Sequence, residues 1–417
     1  MFSWEVYVGS ILVIGSGARE HAIAWRLKKE GKDVFLSPGN GGTSLNWINK
    51  ILSKDEIESF CKVAGVDLIV VGPEKPLTEG IADFLRSKGF WVFGPGREGA
   101  KLEGSKVFAK SFMKRNNLPT ADFVIYEDEG SLIKHFDNCK YPVVIKADGL
   151  AAGKGVIVAH EKEEALEAIG FLKNNFPEAS KYIIVEECLV GKELSLFVLI
   201  NDKGHVVLDN ARDYKRLNDF DEGPNTGGMG SYSPVDDLPE FQINKIQNNI
   251  VEPTIRALRK ENISYQGVLY FGIMLTKEGP SILEFNCRFG DPEAQVLVPR
   301  ILNFSELLYV VAKNEKIPEP KISSKKALSV VLTAKGYPNN PETGKRINID
   351  ERIFEDEDVV IFYAGVVRDK NNLFTSSGRV LNVVGMGDTF EEARNKAYSS
   401  IKYINFEGMH FRRDIGL

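Results

Sequence analysis

Residues 141–159 read YPVVIKADGLAAGKGVIVA, and this stretch predicts two strands joined by a glycine-rich turn. Val143 to Ala147 and Val156 to Ala159 are apolar and largely β-branched, as strands prefer. The turn contains glycines and Lys154, and Lys146 lies near the end of the first strand. Glycine lets backbone N–H groups approach a polyphosphate closely, and lysine neutralises its charge. We therefore interpret the stretch as a hairpin flap over phosphates; a plain hairpin turn is the alternative.

The flap differs from the P-loop, G-x-x-x-x-G-K-[ST], in spacing and in context. Only Leu150 to Ala152 separate Gly149 from Gly153, which is one residue too few, and Gly155 replaces the Ser or Thr that would hold magnesium. A strand follows the turn, where a P-loop continues into a helix. The sequence therefore predicts phosphate binding outside a P-loop fold.

Length and composition exclude several classes of protein. The 417 residues exceed one ordinary core and predict about two to four domains. The formal net charge of -5 argues against a protein that coats nucleic acid, and no apolar run is long enough to span a membrane. The four cysteines form no C-x-x-C pair, so neither a zinc site nor a disulfide framework is indicated. A reducing cytoplasm fits this pattern.

Alternating strand and helix patterns over residues 10–93 predict an open, mostly parallel sheet. The first turn resembles a dinucleotide fingerprint, but Glu20 replaces its third glycine and Ser37-Pro38 stands where an acidic residue is needed, so NAD is not expected. Glycine turns at the carboxyl ends of strands still favour a small anionic ligand. We expect this ligand beside Gly15, Gly17, Arg19, Asn40 and Glu74. The alternative is that the glycines only serve tight turns and that Arg19 is solvated.

The following segment predicts elements that approach a nucleotide. A helix that opens at Leu102 and runs to about Asn116 carries Lys106, which is either a phosphate ligand or a surface lysine. A second small unit begins near Pro119 and contains the flap. The extended segment Tyr182–Leu189 ends in carboxylates that suit adenine and ribose; an ordinary edge strand is the alternative.

Residues 209–232 are dense in polar residues and glycine, and they predict a long functional loop. Basic side chains such as Lys215 precede GPNTGGMG at 223–230, whose backbone amides suit an anion. A disordered linker is the alternative.

The sharpest chemical pattern is ILEFNCRFGDPE at residues 282–293. Alternate side chains of a strand share a face, so Glu284, Asn286 and Arg288 are expected on one face, with apolar residues on the other. Carboxylate and amide oxygens suit magnesium, and an arginine can hold a carboxylate or a transferring phosphoryl group. The alternative is a half-exposed strand with a salt bridge between Glu284 and Arg288.

The end of the chain predicts a linker at 318–326 and a small α/β domain beyond it. Strands are expected at 327–334, 359–367 and 380–384, and a helix at 389–403. No catalytic pattern stands alone in this part of the sequence.

The motifs together resemble those of the ATP-grasp ligases, and among them the phosphoribosylamine–glycine ligase family (glycinamide ribonucleotide synthetases) of purine biosynthesis. The matching blocks span residues 15–416 and read GAREHA, SPGNGGT, VGPE, LEGSK, VIKADGLAAGKGVIVA, GPNTGGMG, EFNCRFGDPE and RRDIG. The resemblance implies an α/β and α+β multidomain fold. Its parts would be an N-terminal substrate domain (1–115), a lid subdomain (116–187), a core with the metal site (188–322) and a C-terminal domain (323–417).

The resemblance also implies the reaction. ATP would phosphorylate glycine, and 5-phospho-β-D-ribosylamine would attack the glycyl phosphate to give glycinamide ribonucleotide, ADP and phosphate. The cofactors would be ATP with Mg²⁺ or Mn²⁺. The chain would be a cytoplasmic monomer that contacts neighbouring purine-pathway enzymes at most transiently, with neither nucleic-acid nor membrane partners.

Residue roles follow from the resemblance by position. ATP would contact Lys106, Lys146 and the flap residues Gly153, Lys154 and Gly155, with adenine beside Glu186, Cys188 and Leu189 and ribose on Glu193. Glu284 and Asn286 would bind the metal. Arg288, Asp213 and Lys215 would be catalytic. The substrates would face Gly15, Gly17, Asn40, Glu74, Gly227, Gly228 and Asp291.

The chain departs from the family pattern at a few places. Arg212 and Tyr214 stand where the family usually has Gln and His, and Ser377 stands where it usually has glycine. Residues 1–9 precede the family's usual start; they are interpreted as a short extension or as the result of a misplaced start codon. Two other functions stay open at this point: another ATP-grasp ligase or carboxylase of purine metabolism, and a non-catalytic ATP-binding module.

Overall fold

The computed structural model describes residues 9–43, 48, 50–151 and 155–417. The N-terminal part is an open sheet of parallel strands in the order β2–β1–β3–β4, as the alternating pattern predicts. Its elements are β1 (Ser10–Gly15), α1 (Ala18–Lys29), β2 (Val34–Pro38), α2 (Lys54–Ala64), β3 (Val66–Val71), α3 (Glu74–Thr78), α4 (Ile81–Ser87), β4 (Trp91–Phe93), α5 (Arg97–Gly104) and α6 (Lys106–Arg115).

The predicted helix from Leu102 to Asn116 is wrong at its start. The chain leaves α5 at Gly104, takes an extended conformation at Ser105, and begins α6 at Lys106. The Ser105 side chain accepts a hydrogen bond from the Phe108 amide, as an N-cap residue does. The break places Lys106 at the first turn of a helix, where the exposed amides favour anions.

A small antiparallel sheet in the order β5–β8–β6–β7 follows and includes both strands predicted for the flap. Because β8 lies between two other strands, the edge-strand alternative is wrong. Two helices cover one face with apolar residues such as Leu132 and Leu172. The elements are β5 (Phe123–Tyr126), α7 (Glu129–Phe136), β6 (Val143–Ala147), β7 (Val156–Ala159), α8 (Lys162–Asn175) and β8 (Ile183–Glu187).

The central part is built on long antiparallel strands. Residues 209–232, predicted as a loop, instead form the end of β10, the short hairpin β11–β12 and strand β13. The elements are β9 (Lys192–Asn201), β10 (Gly204–Asp213), β11 (Arg216–Asn218), β12 (Glu222–Asn225), β13 (Gly230–Ser233), α9 (Glu240–Ile246), α10 (Glu252–Lys260), β14 (Gly267–Leu275), β15 (Pro280–Asn286), α11 (Ala294–Leu297) and α12 (Phe304–Ala312).

The C-terminal part continues the central sheet. β13 pairs with β16, so one antiparallel sheet runs in the order β15–β14–β9–β10–β13–β16–β21–β18 across the segment predicted as a linker. The strands predicted at 327–334 and 380–384 and the helix at 389–403 are present with small shifts of their ends. The single strand predicted at 359–367 is wrong, because the chain breaks into β18 and β19, and β19 belongs to a second sheet in the order β19–β20–β17–β22. The elements are β16 (Lys326–Thr333), β17 (Arg346–Ile349), β18 (Val359–Tyr363), β19 (Val366–Asp369), β20 (Asn372–Thr375), β21 (Arg379–Gly387), α13 (Phe390–Ile401) and β22 (Ile404–Asn405).

Within the described ranges, no helix combines the length and the apolar character needed to cross a membrane.

Candidate active site

Glu284 and Asn286 lie on β15 with one residue between them, so their side chains share a face of the strand. Asn286 Nδ2 lies 3.4 Å from Glu284 Oε1. Burial raises the pKa of Glu284, but Lys215, Lys106 and Lys146 outweigh that effect and bring the pKa below its usual value. Glu284 is therefore an ionised carboxylate near lysines from three different parts of the chain.

Lysines and carboxylates alternate around the end of β15, because Lys146 also pairs with Glu186 and Lys215 with Glu193. Ammonium groups of this kind suit the phosphates of a polyanion, and Glu284 suits a cation that joins it to those phosphates. Among the described residues, no group of three or more His, Cys, Asp and Glu side chains could hold a metal alone. A metal at Glu284 and Asn286 would therefore need further ligands, which phosphate and water supply in magnesium sites.

Lys106 is placed by Asp148, the residue that follows the first flap strand. Asp148 Oδ1 accepts hydrogen bonds from Ser105 Oγ and from the Val107 amide, both at 2.8 Å. The Lys106 amide donates to the Asp148 carbonyl oxygen at 3.0 Å. Asp148 thus connects the flap to the start of α6. Asp148 lies within the flap motif, but no local pattern marks it as a partner of Lys106.

Glu186 is buried between two lysines. Its carboxylate lies 2.8 Å from Lys110 Nζ and 2.9 Å from Lys146 Nζ. Burial and the neighbouring Lys146 lower the pKa of Lys110 to about 8, although Glu186 acts in the opposite direction. Lys110 was missed by sequence reasoning; its position one helical turn after Lys106 was the available signal.

The flap itself is described in part. Gly153 and Lys154 lie outside the described residues, so the predictions for them stay untested. Gly155 is buried, and its carbonyl oxygen accepts from the Ala147 amide at 2.9 Å. Cys188 and Leu189 are half-buried and follow directly after β8.

A second charged cluster lies near Glu284 and consists of Lys215, Glu193 and Asp213. Lys215 Nζ pairs with the Glu193 carboxylate. Burial raises the pKa of Asp213 to about 7; Lys215 opposes this effect, and Glu293 and Glu193 add to it. Burial lowers the pKa of Lys215, but Asp213, Glu193 and Glu284 raise it overall. Lys215 is thus a cation, and Asp213 titrates near neutral pH.

Arg288 lies beyond the end of β15 and contacts the N-terminal part. Its Nη2 is 2.8 Å from Glu103 Oε1, its Nε is 3.4 Å from Glu74 Oε2, and its Nη1 donates to the Phe289 carbonyl at 3.2 Å. The alternative salt bridge between Arg288 and Glu284 is therefore wrong. Glu103, within the LEGSK block, was not recognised as its partner. The two carboxylates fix the guanidinium group in place.

A cavity of about 510 Å³ opens where the N-terminal, central and C-terminal parts meet. Four predicted substrate residues line it: Gly17, Asn40, Gly227 and Asp291. Residues from the C-terminal part complete the wall, among them Tyr337, Ser377 and Arg379. Sequence reasoning gave the C-terminal part no role in the site, although Gly378-Arg379-Val380 stood out as a turn. Gly228 adjoins this wall, because it follows Gly227 and a Cβ at Gly228 would lie 3.6 Å from Arg379 Nη1.

Glu20 takes the place expected for an anion at the first turn. Glu20 Oε2 accepts from the Gly17 amide at 2.6 Å, so the start of α1 is capped by the chain's own carboxylate. A Cβ at Gly15 would meet Glu20 Cγ at 2.4 Å. The space beside Gly15 is thus filled by Glu20 and is not open to a substrate. Arg19 is 7% exposed and contacts Glu20 at 2.6 Å, which contradicts the alternative of a solvated side chain.

Comparison with known proteins matches all three parts of the chain to domains of one family. The family model of the phosphoribosylglycinamide synthetase N domain matches residues 9–103, that of its ATP-grasp (A) domain matches 104–294, and that of its C domain matches 327–417. A phosphoribosylamine–glycine ligase from Chlorobaculum tepidum is 41% identical, covering 97% of this chain and 99% of the relative. Another from Caulobacter vibrioides is 42% identical, covering 98% and 97%.

A solved structure agrees with these relatives. The crystal structure of a phosphoribosylamine–glycine ligase from Thermotoga maritima is 40% identical to this chain, with a TM-score of 0.85, and the match covers 97% of this chain and 100% of that one. A biotin carboxylase from Campylobacter jejuni, at 15% identity and a TM-score of 0.71, shares the fold alone.

Proposed function

Because the chain belongs to the phosphoribosylamine–glycine ligase family, we propose that it joins glycine to 5-phospho-β-D-ribosylamine. ATP and a divalent metal belong to the chemistry of this fold, and the chain is an ATP-dependent ligase. The products would be glycinamide ribonucleotide, ADP and phosphate. The observation that carries the proposal is the placement of Glu284 and Asn286 on one face of β15, where Lys106, Lys146 and Lys215 favour the ionised form of Glu284.

The reaction needs two displacements. A glycine carboxylate oxygen attacks the γ-phosphorus of ATP, the bond from phosphorus to the ADP oxygen breaks, and glycyl phosphate forms. The amine nitrogen of phosphoribosylamine then attacks the carbonyl carbon, the carbon–oxygen bond to phosphate breaks, and the nitrogen loses a proton. A carboxylate is already nucleophilic, so the first step needs no protein base.

The metal is proposed to be Mg²⁺ or Mn²⁺, held by Glu284 Oε and Asn286 Oδ. When bound, it would neutralise charge on the nucleotide phosphates. Lys146 would contact the phosphates from the flap side, and Lys106 from the start of α6. Glu186, fixed by Lys110 and Lys146, would lie beside the adenine with Cys188 and Leu189. Glu193 would bind the ribose, which requires its pairing with Lys215 to loosen.

Asp213 and Lys215 are proposed to act at the reacting carboxyl group. Lys215 is a cation and would offset the negative charge that develops on the glycyl carboxyl oxygens. Asp213, whose pKa is about 7, is suited to accept the proton that the attacking amine loses. Arg288 is proposed to stabilise the transferring phosphoryl group, held in position by Glu74 and Glu103.

Phosphoribosylamine is proposed to occupy the cavity lined by Gly17, Asn40, Gly227 and Asp291. Gly228 and Glu74 would contribute from its edges. The cavity adjoins the metal strand through Asp291, which follows β15 by a few residues. Because the cavity and the metal strand adjoin, the amine would reach the acyl phosphate without release of either one from the enzyme.

We further propose that the four parts 1–115, 116–187, 188–322 and 323–417 act as domains, although one sheet crosses the last boundary. We also propose that the protein is a monomer with only transient contacts to neighbouring purine-pathway enzymes, since its substrates are small molecules. A cytoplasmic location is proposed because the four cysteines are free thiols.

ADP release, measured with a coupled assay, tests the function. We expect rapid release only when ATP, a divalent metal, glycine and phosphoribosylamine are all present. Brisk turnover with bicarbonate in place of glycine would instead favour a carboxylase with the same fold. ATP binding without turnover under any of these conditions would favour a binding module.

A further inference from the structure

The last residues of the chain are fastened to the hairpin that carries Lys215. Arg412 is 1% exposed and forms a bidentate contact with Asp414, with Nε–Oδ1 at 2.8 Å and Nη2–Oδ2 at 2.5 Å. Its Nη1 donates to Asp221 Oδ1 at 2.8 Å and to the Arg216 carbonyl at 3.1 Å. The guanidinium group thus joins the C-terminal segment to the first strand and to the turn of the hairpin.

Further contacts join the same two segments, residues 412–416 and residues 214–221, whose contact is called the seam below. The Phe220 amide donates to Asp414 Oδ2 at 2.8 Å, and the Arg413 amide donates to Asp219 Oδ1 at 2.7 Å. The Gly416 amide donates to the Tyr214 hydroxyl at 3.0 Å. The Arg412 guanidinium also lies over the Tyr214 ring, 4.9 Å from its centroid. Tyr214, one of the departures from the family pattern, is therefore part of this seam.

The hairpin needs such support because its tip is strained. Phe220 and Asp221 have φ values of 57° and 56°, in the left-handed region that residues other than glycine rarely adopt. Phe220 is 80% exposed, so it gains little from packing. Conformations of this kind persist where neighbouring contacts impose them, and the contacts from Asp414 and Arg412 fall on these two residues.

The other side of the C-terminal segment is anchored to α13. The Tyr398 hydroxyl donates to the Arg412 carbonyl at 2.8 Å and accepts from the Ile415 amide at 3.1 Å. Arg394 Nη2 donates to the Arg413 carbonyl at 2.7 Å. The C-terminal segment therefore links the hairpin to α13, so the position of the hairpin depends on that of the packed helix.

The hairpin in turn reaches the site. The Lys215 carbonyl accepts from the Thr226 amide and hydroxyl, each at 2.8 Å, and the Met229 amide donates to the Tyr214 carbonyl at 2.7 Å. Lys215 and the cavity residue Gly227 are thus on one hydrogen-bonded unit with the strained tip. A shift of that unit would move the cation at the reacting carboxyl group and open the cavity wall together.

We propose that residues 410–416 form a strap that holds the hairpin 214–229 closed over the reaction centre, with Arg412 as its positioning residue. The strap's task is to keep water from the glycyl phosphate until the amine attacks. The proposal rests on the function proposed above, because an acyl phosphate is the species that needs protection from water.

The test compares ADP release with glycinamide ribonucleotide formation in the full-length enzyme. Arg412→Met removes the guanidinium from the seam, and Arg412→Lys keeps the charge without the bidentate fork. Arg352→Met, in the same part of the chain but paired with Asp350 at the surface, is the matched control. The unaltered enzyme and the control should release about one ADP per product, as tight coupling requires.

For Arg412→Met we expect product formation to fall at least about tenfold while ADP release falls less, so that the ratio of ADP to product rises to about three or more. Arg412→Lys should lie between this variant and the unaltered enzyme. A parallel fall of both rates with the ratio near one would overturn the strap and leave the proposed function intact. If the unaltered enzyme forms no product, the proposed function itself fails.

A second variant guards against misfolding of Arg412→Met. Asp221 is 67% exposed in its side chain, and Asp221→Asn weakens the hairpin side of the seam while Arg412 keeps Asp414. We expect a smaller rise of the same ratio. An unchanged ratio in a well-folded Asp221→Asn protein, together with an unchanged ratio in Arg412→Lys, would overturn the proposal.

Discussion

Arg379 Nη2 lies 3.0 Å from Asp291 Oδ2 and joins the start of β21 to the segment that follows the metal strand. Arg379 Nη1 also donates to the carbonyl oxygens of Asp291, at 2.8 Å, and Gly227. One side chain from the C-terminal part therefore fixes two walls of the cavity.

Arg379→Met should damage the cavity more than the nucleotide site. We expect the KM for phosphoribosylamine to rise about tenfold or more, because a methionine removes the arginine that pairs with Asp291 and holds the Gly227 carbonyl. The KM for ATP should change by less than about twofold. Steady-state kinetics with each substrate varied in turn check this outcome. Arg346→Met, an exposed position on β17, is the matched control and should behave as the unaltered enzyme. An unchanged KM for phosphoribosylamine would contradict the proposal that this substrate binds in the cavity.

Glu284→Gln should lower kcat by about 100-fold or more at saturating ATP, because it removes the carboxylate that the three lysines and the proposed metal share. The metal concentration for half-maximal rate should rise as well. The measurement is turnover as a function of Mg²⁺ or Mn²⁺ concentration. Glu407→Gln, at a carboxylate that is 75% exposed, serves as the control. An unaltered kcat would refute the metal-ligand assignment.

The rate should depend on pH through Asp213. A base with a pKa of about 7 is protonated below that pH and free to accept a proton above it. We therefore expect kcat/KM for phosphoribosylamine to rise as the pH increases from about 6 to about 8. Asp213→Asn should lower the rate and remove this rise, since an amide does not titrate. A rise that persists in Asp213→Asn belongs to another group and contradicts the assignment.

Lys146→Ala should raise the apparent KM for ATP by about tenfold or more, because a buried charge-assisted contact with the nucleotide is lost. Lys110 stays beside Glu186 and limits the harm to the fold. Thermal unfolding and ATP-dependent kinetics would be measured on the same preparation. An effect confined to glycine would count against a nucleotide role for Lys146.

The sequence predicted the elements that carry strong local signals. The flap strands and the end of β15 follow from β-branched residues and from alternation, which depend on neighbours in the chain. Arg379 and Glu103 could not be placed in this way, because their partners Asp291 and Arg288 are distant in sequence. Lys110 had a local signal in its spacing from Lys106, but its partner Glu186 is also distant. GPNTGGMG was interpreted as a loop because glycine and proline weaken strand signals. Its last residue, Gly230, nevertheless begins β13, because it pairs with Val330 of β16. Glu20 explains why the side of the first turn beside Gly15 is closed to an anion, although Gly17 of the same turn lines the cavity.

Oxygen transfer from glycine tests the central claim most directly. Glycine labelled with ¹⁸O in both carboxylate oxygens would be converted with unlabelled ATP and phosphoribosylamine, and the phosphate released would be analysed by mass spectrometry. Because the bond that breaks in the second step joins the glycyl carbon to the bridging oxygen, we predict one ¹⁸O atom in each phosphate and one in each glycinamide ribonucleotide. Phosphate without ¹⁸O, with the labelled oxygen that leaves the carboxyl group found in water, would contradict activation of glycine as an acyl phosphate.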